Sequence, residues 1–304
     1  MLQKTEKPRS RVSRMSAVST YFEVTKPKIW VLLVFTALGG LIVASGRNIP
    51  WFTTVLMLVA VTLGSAGSNT LTNYIDRDID AVMNRTRLRP LPTQRIQPAS
   101  HALYFGIALC ALSLVLAALI NPLCLILMFL GIFDNVVIYS RLLKRRNPAN
   151  IILGSFSGGM PVLIGYAAVA NSISILALFM AALVVVWTPI HIWSLALHSK
   201  EDYSKVNVPM LPVVVGEKTS VRIIALATIL MVVFSFLAPA FAPLGPLYIY
   251  SALALGIIVL ALSFWLFIKP TQEVSWIVFK ASSPYLGLIF LVLILDVLLY
   301  PLAK

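Results

Sequence analysis

Long apolar runs alternate with short polar stretches along nearly the whole chain. The runs fall at about 29–45, 51–74, 101–119, 122–140, 151–170, 173–198, 221–240, 245–268 and 279–300. Each reaches or approaches the roughly 20 residues that a helix needs to cross a bilayer. The pattern predicts an all-α membrane protein, a bundle of about nine transmembrane helices. A tail over 1–28 precedes a single polytopic domain over 29–304. The turns near Asn121–Pro122, Asn171 and Pro243–Pro246 are short, whereas the loops at 75–100, 141–150 and 199–220 are longer.

Composition supports this and removes the soluble alternatives. Of the 304 residues, 59% are hydrophobic and only 12% charged, and mean hydropathy is +0.92. No soluble core needs that much apolar surface. The net charge of +13 would suggest nucleic acid in a soluble protein. Here the cations lie between apolar runs, so no nucleic-acid partner is expected. The N-terminal segment and the loops after runs 2, 4, 6 and 8 hold 22 of the 24 Lys and Arg. The positive-inside rule then places the N-terminus in the cytoplasm and the C-terminus outside a cell membrane. Residues 1–28 lack an apolar core with a cleavage site, so they read as a cytoplasmic tail; Arg9 to Ser19 only faintly suggests a transit peptide. Cys110 and Cys124 lie inside apolar runs without C-x-x-C spacing.

One polar stretch stands out. Asn73 to Leu91 reads NYIDRDIDAVMNRTRLRPL and carries three of the chain's 11 acidic residues within five positions. In a continuous helix, Asn73, Asp76 and Asp80 would fall within an arc of about 60°, and Asp78 would point roughly 140–160° away. Two carboxylates and an amide oxygen on one face suit Mg²⁺, which takes a few carboxylates plus the oxygens of a substrate phosphate. Arg85 and Arg89 follow one or two turns later and could bind the same phosphate. A loop that merely carries orientation charge would also hold a few acids.

A smaller cluster, Lys200, Glu201, Asp202, Tyr203 and Lys205, follows run 6. Four spans separate it from the first, so both face the same side. Alone it reads as a solvated loop; paired with the first it offers a second Mg²⁺ set. The basic loop from Tyr139 to Asn150 includes Lys144 and Arg145 and shares that face. Small residues at 154, 155, 157, 158 and 159 then permit close helix packing or the approach of a flat ligand. Inside run 6, Pro189 should kink the helix. His191 could ligate an iron, bind a propionate or move a proton, or could pack with Thr188. Asp134 and Asn135 lie inside run 4 and face either the same cavity or a neighbouring helix. Asp296 lies at the opposite side.

The pattern N-x-x-D-x-x-x-D followed by M-x-R-T-x-x-R-P-L resembles the first signature of the UbiA superfamily of intramembrane prenyltransferases. The longer DRDIDAVMNRTRLRPL resembles the protohaem IX farnesyltransferase (haem O synthase) branch. TKPKIWVLLVFTALGG, LKRRNPAN and WTPIHIWSLALHSKEDY…VPMLPVV extend the resemblance from Thr25 to Val215. Chains of this branch more often show a second proline at Ile190 and an aspartate at Glu201. The resemblance implies Mg²⁺-dependent transfer of a farnesyl group from farnesyl diphosphate to a vinyl group of haem b, on the cytoplasmic side. The product would be haem O, passed to a downstream haem-modifying membrane protein. It implies that Asn73, Asp76 and Asp80 hold one Mg²⁺ and that Glu201 and Asp202 support a second. Arg85, Arg89, Lys144, Arg145, Lys200, Tyr203 and Lys205 would line the substrates, with His191 as the haem contact. A related enzyme with another aromatic or lipid acceptor is the nearest alternative, and a transporter or haem carrier a more distant one.

Overall fold

The computed structural model describes residues 16–300. The tail's Lys4, Lys7, Arg9, Arg11 and Arg14, and Lys304, lie outside the described residues. Among the described residues nine helices are long and apolar enough to cross a membrane. They are α1 (Pro27–Ser45), α2 (Trp51–Ile75), α3 (Ser100–Ile120), α4 (Pro122–Leu143), α5 (Asn150–Ala170), α6 (Ile175–His198), α7 (Glu217–Ala240), α8 (Pro246–Ile268) and α9 (Gln272–Leu299). Their apolar surface is divided between a shared core and an exposed outer belt that includes Val55, Leu119, Ile257 and Phe264. That division is expected where lipid replaces water as the outer solvent.

Small residues set the closest helix crossings. A Cβ on Gly165 of α5 would lie 1.8 Å from the carbonyl oxygen of Ala37 in α1, and one on Gly40 would lie 2.1 Å from that of Val162. Backbones approach this closely only where side chains are missing. Gly67 of α2 and Gly106 of α3 make a second such crossing. Gly154 and Gly159 pack against Tyr139 and Ala181, so this small-residue run serves helix packing.

Two spans depart from regular helix where polar groups emerge. The end of α4, Asp134–Leu143, winds as a π-helix, and Lys144 N donates to the Tyr139 carbonyl at 2.8 Å. The wider winding turns Tyr139 and Lys144 toward the bundle's polar end, and such insertions are frequent at functional sites. Helix α5 is interrupted at Ser155. Beside the break, Asp134 accepts a hydrogen bond from Ser157 N at 2.8 Å. Asp134 therefore holds two helices together. Asp296 does the same at the far end, accepting from Gly245 N (2.6 Å) and Tyr248 N (3.1 Å) at the start of α8. There Arg47 donates to the carbonyls of Leu298 and Leu299, a cation at a helix C-terminus.

At the other end, the segment read as a tail is partly built into the fold. Ala17–Val24 is a helix. Glu23 is bridged by both terminal nitrogens of Arg95, at 2.6 and 2.8 Å. Val24, Leu91, Ile96 and Ala102 form a small separate core with Tyr21, Tyr74 and Phe105. This core clamps the 83–99 loop over the end of α2.

Candidate functional site

Helix α2 does not run on through the acidic motif. It ends at Ile75, Asp76 stands at the joint, and a short helix, Arg77–Val82, follows. The Asp80 N to Asp76 O hydrogen bond of 2.8 Å still spans the joint, so the expected grouping survives. Asn73, Asp76 and Asp80 are all buried, while the Asp78 side chain is 63% exposed. Arg145 clamps Asp78 at 2.6 and 2.7 Å and also reaches the Ile75 carbonyl. The Arg145 hydrogen bond holds the Asp78 carboxyl down at about 2. Arg145 thus braces the joint from outside.

Three cations converge on the buried acids. Lys144 Nζ is paired with Asp76 Oδ2. Arg89 Nη1 lies 2.7 Å from Asp80 Oδ2 and 3.3 Å from Asn73 Oδ1. The Asn73 amide donates to the Val24 carbonyl at 2.7 Å, which turns its oxygen toward Arg89. Asp76 Oδ1 is buried without a hydrogen-bond partner; Arg145 Nη2 is 3.8 Å away. Burial alone would lower the Lys144 pKa, but Tyr139 and Asp76 carry it above the ordinary lysine value.

Lys26 is the third cation, and sequence reasoning left it in the tail. Its φ of +56° turns the chain just before Pro27, and its Nζ donates to Thr72 Oγ1 at 3.2 Å. Burial, then the positive charges of Arg89 and Lys144, lower its pKa from 10.5 to about 7, against the pull of Asp76 and Asp80. The available signal was its place: a lysine immediately before the proline that opens the first apolar run.

The second cluster forms the facing wall. Arg85 N donates to Asp202 Oδ2 at 3.0 Å, and Arg85 Nη2 to the Tyr203 hydroxyl at 3.3 Å. Asp202 and Tyr203 are buried, and Glu201 is exposed. Lys200 turns outward to Glu217 at 3.1 Å, and exposed Lys205 lies 4.0 Å from Asp202. The 83–99 loop joins the two clusters, with Arg89 on Asp80 and Arg85 on Asp202, so both belong to one polar end of the bundle, the chamber. Among the described residues no three His, Cys, Asp or Glu side chains gather as a ready-made metal site.

His191 does not open onto this chamber. Its ring is stacked between Trp187 at 4.5 Å and Phe279 at 4.4 Å, and Nδ1 lies 2.7 Å from Ser282 Oγ. Both ring faces are stacked, and the side chain is half-buried. Thr188 bonds instead to the Val184 carbonyl.

Two cavities meet at Ile29. An open one of about 500 Å³ exposes Lys26, Asn73 and Arg89. A narrow one of about 60 Å³ runs between α1, α2, α4 and α5, lined by Leu33, Asn69, Met128, Asn135 and Met160. The charged mouth suits the anionic head of an amphiphile, and the apolar cleft, far smaller than the roughly 300–1,000 Å³ of ligand sites, would have to widen to take a hydrocarbon tail.

A family profile described as the UbiA prenyltransferase family matches residues 33–301. A protein named protoheme IX farnesyltransferase 2 from Cenarchaeum symbiosum is 47% identical, over 94% of this chain and 98% of its own. Protoheme IX farnesyltransferases from Desulforudis audaxviator and Thermoplasma volcanium are 46% and 43% identical. The alignments cover 91% and 92% of this chain and 88% and 98% of theirs. Among solved structures, a digeranylgeranylglyceryl phosphate synthase superposes with a TM-score of 0.76 at 21% identity, over 93% of this chain and 99% of that one. A UbiA homologue from Archaeoglobus fulgidus bound to GPP and Mg²⁺ gives 0.66 at 18% identity, over 90% and 99%.

Proposed function

The chain belongs to the UbiA prenyltransferase family, and from that premise we propose that it farnesylates haem b. Farnesyl diphosphate and haem b (protohaem IX) are the substrates, and haem O and pyrophosphate the products, as a step in haem A biosynthesis. The relatives named protoheme IX farnesyltransferase support this acceptor and donor. The observation that carries it for this chain is the pairing of Arg89 and Lys144 with the buried carboxylates of Asp80 and Asp76, with Lys26 held beside them on Thr72, next to an apolar cleft.

In this reading the farnesyl tail widens the narrow cleft past Ile29, and the diphosphate displaces Asp80 from Arg89 and Asp76 from Lys144 and meets Lys26 beside them. Arg85 closes the chamber from the facing wall. The allylic C–O bond breaks, and the electron pair leaves with the diphosphate. The cations stabilise that charge where little water competes. The π electrons of the haem vinyl group form the new C–C bond. Water adds to the cation that remains and loses a proton, leaving a hydroxyethylfarnesyl chain. Tyr139, beside Lys144, offers an aromatic face to positive charge.

The residues fit Mg²⁺. Asp76 Oδ1 is buried without a donor, and Asp80 and Asn73 add hard oxygens on the same wall. Glu201 and Asp202 offer a second pair. Neither set is complete without substrate oxygens, which is how Mg²⁺ is usually bound. The ion supplies further charge neutralisation at the leaving diphosphate. The Mg²⁺ and GPP of the A. fulgidus homologue support the assignment. The cation-rich loops support a cytoplasmic active site in a cell membrane.

The test uses purified protein in detergent with Mg²⁺, haem b and farnesyl diphosphate, read by porphyrin mass. A gain of one farnesyl group plus one hydroxyl group is expected. Pyrophosphate release only with another acceptor would move the chain to another branch of the family, and no release would favour a carrier.

A further inference from the structure

The narrow cleft beside the chamber has a measurable depth. On α2, Asn73, Asn69 and Ser65 recur at every fourth position, so the face that carries Asn73 continues inward. Asn73 lines the open cavity, and Asn69, Ser65 and Gly64 line the narrow one. The helix is unbroken from Trp51 to Ile75. At 1.5 Å per residue, about 10 Å separates Asp76 from Asn69, and about 18 Å separates it from Gly64.

At that depth a methionine crosses the cleft. A Cβ on Gly64 would lie 2.6 Å from Met128 Sδ, so the Met128 side chain reaches from α4 onto the bare backbone of α2. One turn along α4, a Cβ on Gly131 would lie 3.2 Å from Met160 Cβ, so Met160 leans in from α5. The two methionines differ in freedom. Met128 is buried in the shared core with Cys124 and Leu127, where moving one close-packed side chain displaces its neighbours. Met160 is half-buried and unbranched, and such a chain changes shape cheaply. Widening of the cleft therefore falls to Met160, and Met128 stays in place below it.

We infer that Met128, seated over Gly64, is the floor that sets the length of prenyl chain the cleft accepts. The inference rests on the donor and the tail path proposed above. An isoprene unit adds four chain bonds, against three in an amino-acid residue that covers 3.8 Å, so each unit extends about 5 Å. With the diphosphate held at the level of Asp76 and Lys144, three units reach about 15 Å and four reach about 20 Å. The floor at about 18 Å lies between these lengths. It admits a 15-carbon tail and stops a 20-carbon one at Met128.

The experiment titrates the full-length protein, in detergent with Mg²⁺ and no acceptor, with geranyl, farnesyl and geranylgeranyl diphosphate in separate runs. Porphyrin mass is read in parallel with haem b and each donor. Wild-type protein should bind the 15-carbon donor at least about tenfold more tightly than the 20-carbon one, since an apolar pocket resolves even one methylene on that scale. Met128→Ala should abolish the preference. Met128→Val, a smaller truncation that guards against a folding defect, should narrow it. Met128→Leu conserves volume and should keep it. Gly64→Ala, whose methyl would push Met128 Sδ into the cleft, should weaken the 15-carbon donor and spare the 10-carbon one. The same methyl would lie 3.1 Å from Ser113 Oγ in α3, so the ratio between donors is the readout. Wild-type protein that binds farnesyl and geranylgeranyl diphosphate equally would overturn the inference. So would an unchanged preference in both Met128→Ala and Met128→Val, or equal loss of all three donors in both at an unchanged melting temperature. Wild-type protein that shows the preference but yields no prenylated porphyrin would overturn the acceptor reading and leave the floor standing. Wild-type protein that binds none of the three would overturn the donor reading and the inference together.

Discussion

Asp76 and Asp80 each meet a cation at close range on one oxygen inside a buried cluster, and the second oxygen of Asp76 accepts no hydrogen bond, with Arg145 3.8 Å away. Removing either carboxylate leaves a buried cation unpaired and deletes a hard oxygen ligand. Asp76→Ala and Asp80→Ala are expected to abolish turnover while the protein still inserts, as checked by porphyrin mass and membrane yield. Exposed Asp78 should tolerate alanine far better in the same assay. Lys26 makes a pH-dependent prediction. Its folded-state pKa is lowered to about 7, so above that pH the folded chain holds fewer protons than the unfolded chain. The cost of burying its charge is therefore full below about pH 7 and fades as pH rises toward the unfolded lysine value. Lys26→Met should raise the melting temperature most at pH 6 and progressively less at pH 8 and 9. The same charge attracts diphosphate, so wild-type pyrophosphate affinity should exceed that of Lys26→Met at pH 6, with the gap closing above about pH 7. Titration calorimetry at three pH values checks both the sign and the window.

Among elements, the α1–α5 crossing and the α8 cap are the sharpest dependencies. A methyl group at Gly165 would collide with the Ala37 carbonyl, 1.8 Å away. Overpacking of this kind costs typically about 1–3 kcal/mol, and backbone is the obstacle here, so Gly165→Ala should reach at least that range. The check is thermal unfolding in detergent. Asp296→Ala removes the acceptor for two backbone N–H groups at the start of α8, a loss of about 1–2 kcal/mol for a helix cap. Because Asp296 lies at the end opposite the chamber, activity per folded molecule should be unchanged. The elements also explain one difference from expectation. The acidic motif does not continue α2 as a helix, because the 83–99 loop folds back onto Tyr21, Val24 and Phe105. Helical spacing nevertheless anticipated which carboxylates converge, since the Asp80 N to Asp76 O hydrogen bond still spans the joint.

For the whole molecule, the polar chamber is assembled from chain ends and loops that are distant in sequence. Lys26, Asn73, Asp80, Arg89, Lys144 and Tyr203 come from segments tied by hydrogen bonds spanning 46 to 118 positions. From the cation-rich loops at that end we propose that it faces the cytoplasm. A reporter active only in the cytoplasm should work when fused before residue 16 or inserted at 146–148, and should fail when fused after Lys304.

Sequence by itself determined the nine spans, the shared side of the two acidic clusters, and the grouping of Asn73, Asp76 and Asp80 apart from Asp78. Hydrophobic length, charge sign and helical period are local properties, and the bilayer amplifies each of them. Its solvent penalty leaves few alternatives for a run of 20 apolar residues. Tertiary structure alone decided that Lys26 belongs to the chamber, that Arg145 clamps Asp78 while lying 3.8 Å from Asp76, and that Lys200 pairs with Glu217. It also showed that Asp134 bonds to Ser157 N beside the α5 break, and that His191 stacks between Trp187 and Phe279. These outcomes depend on which neighbour lies within about 3 Å after helices far apart in sequence have packed, and no local period encodes that distance.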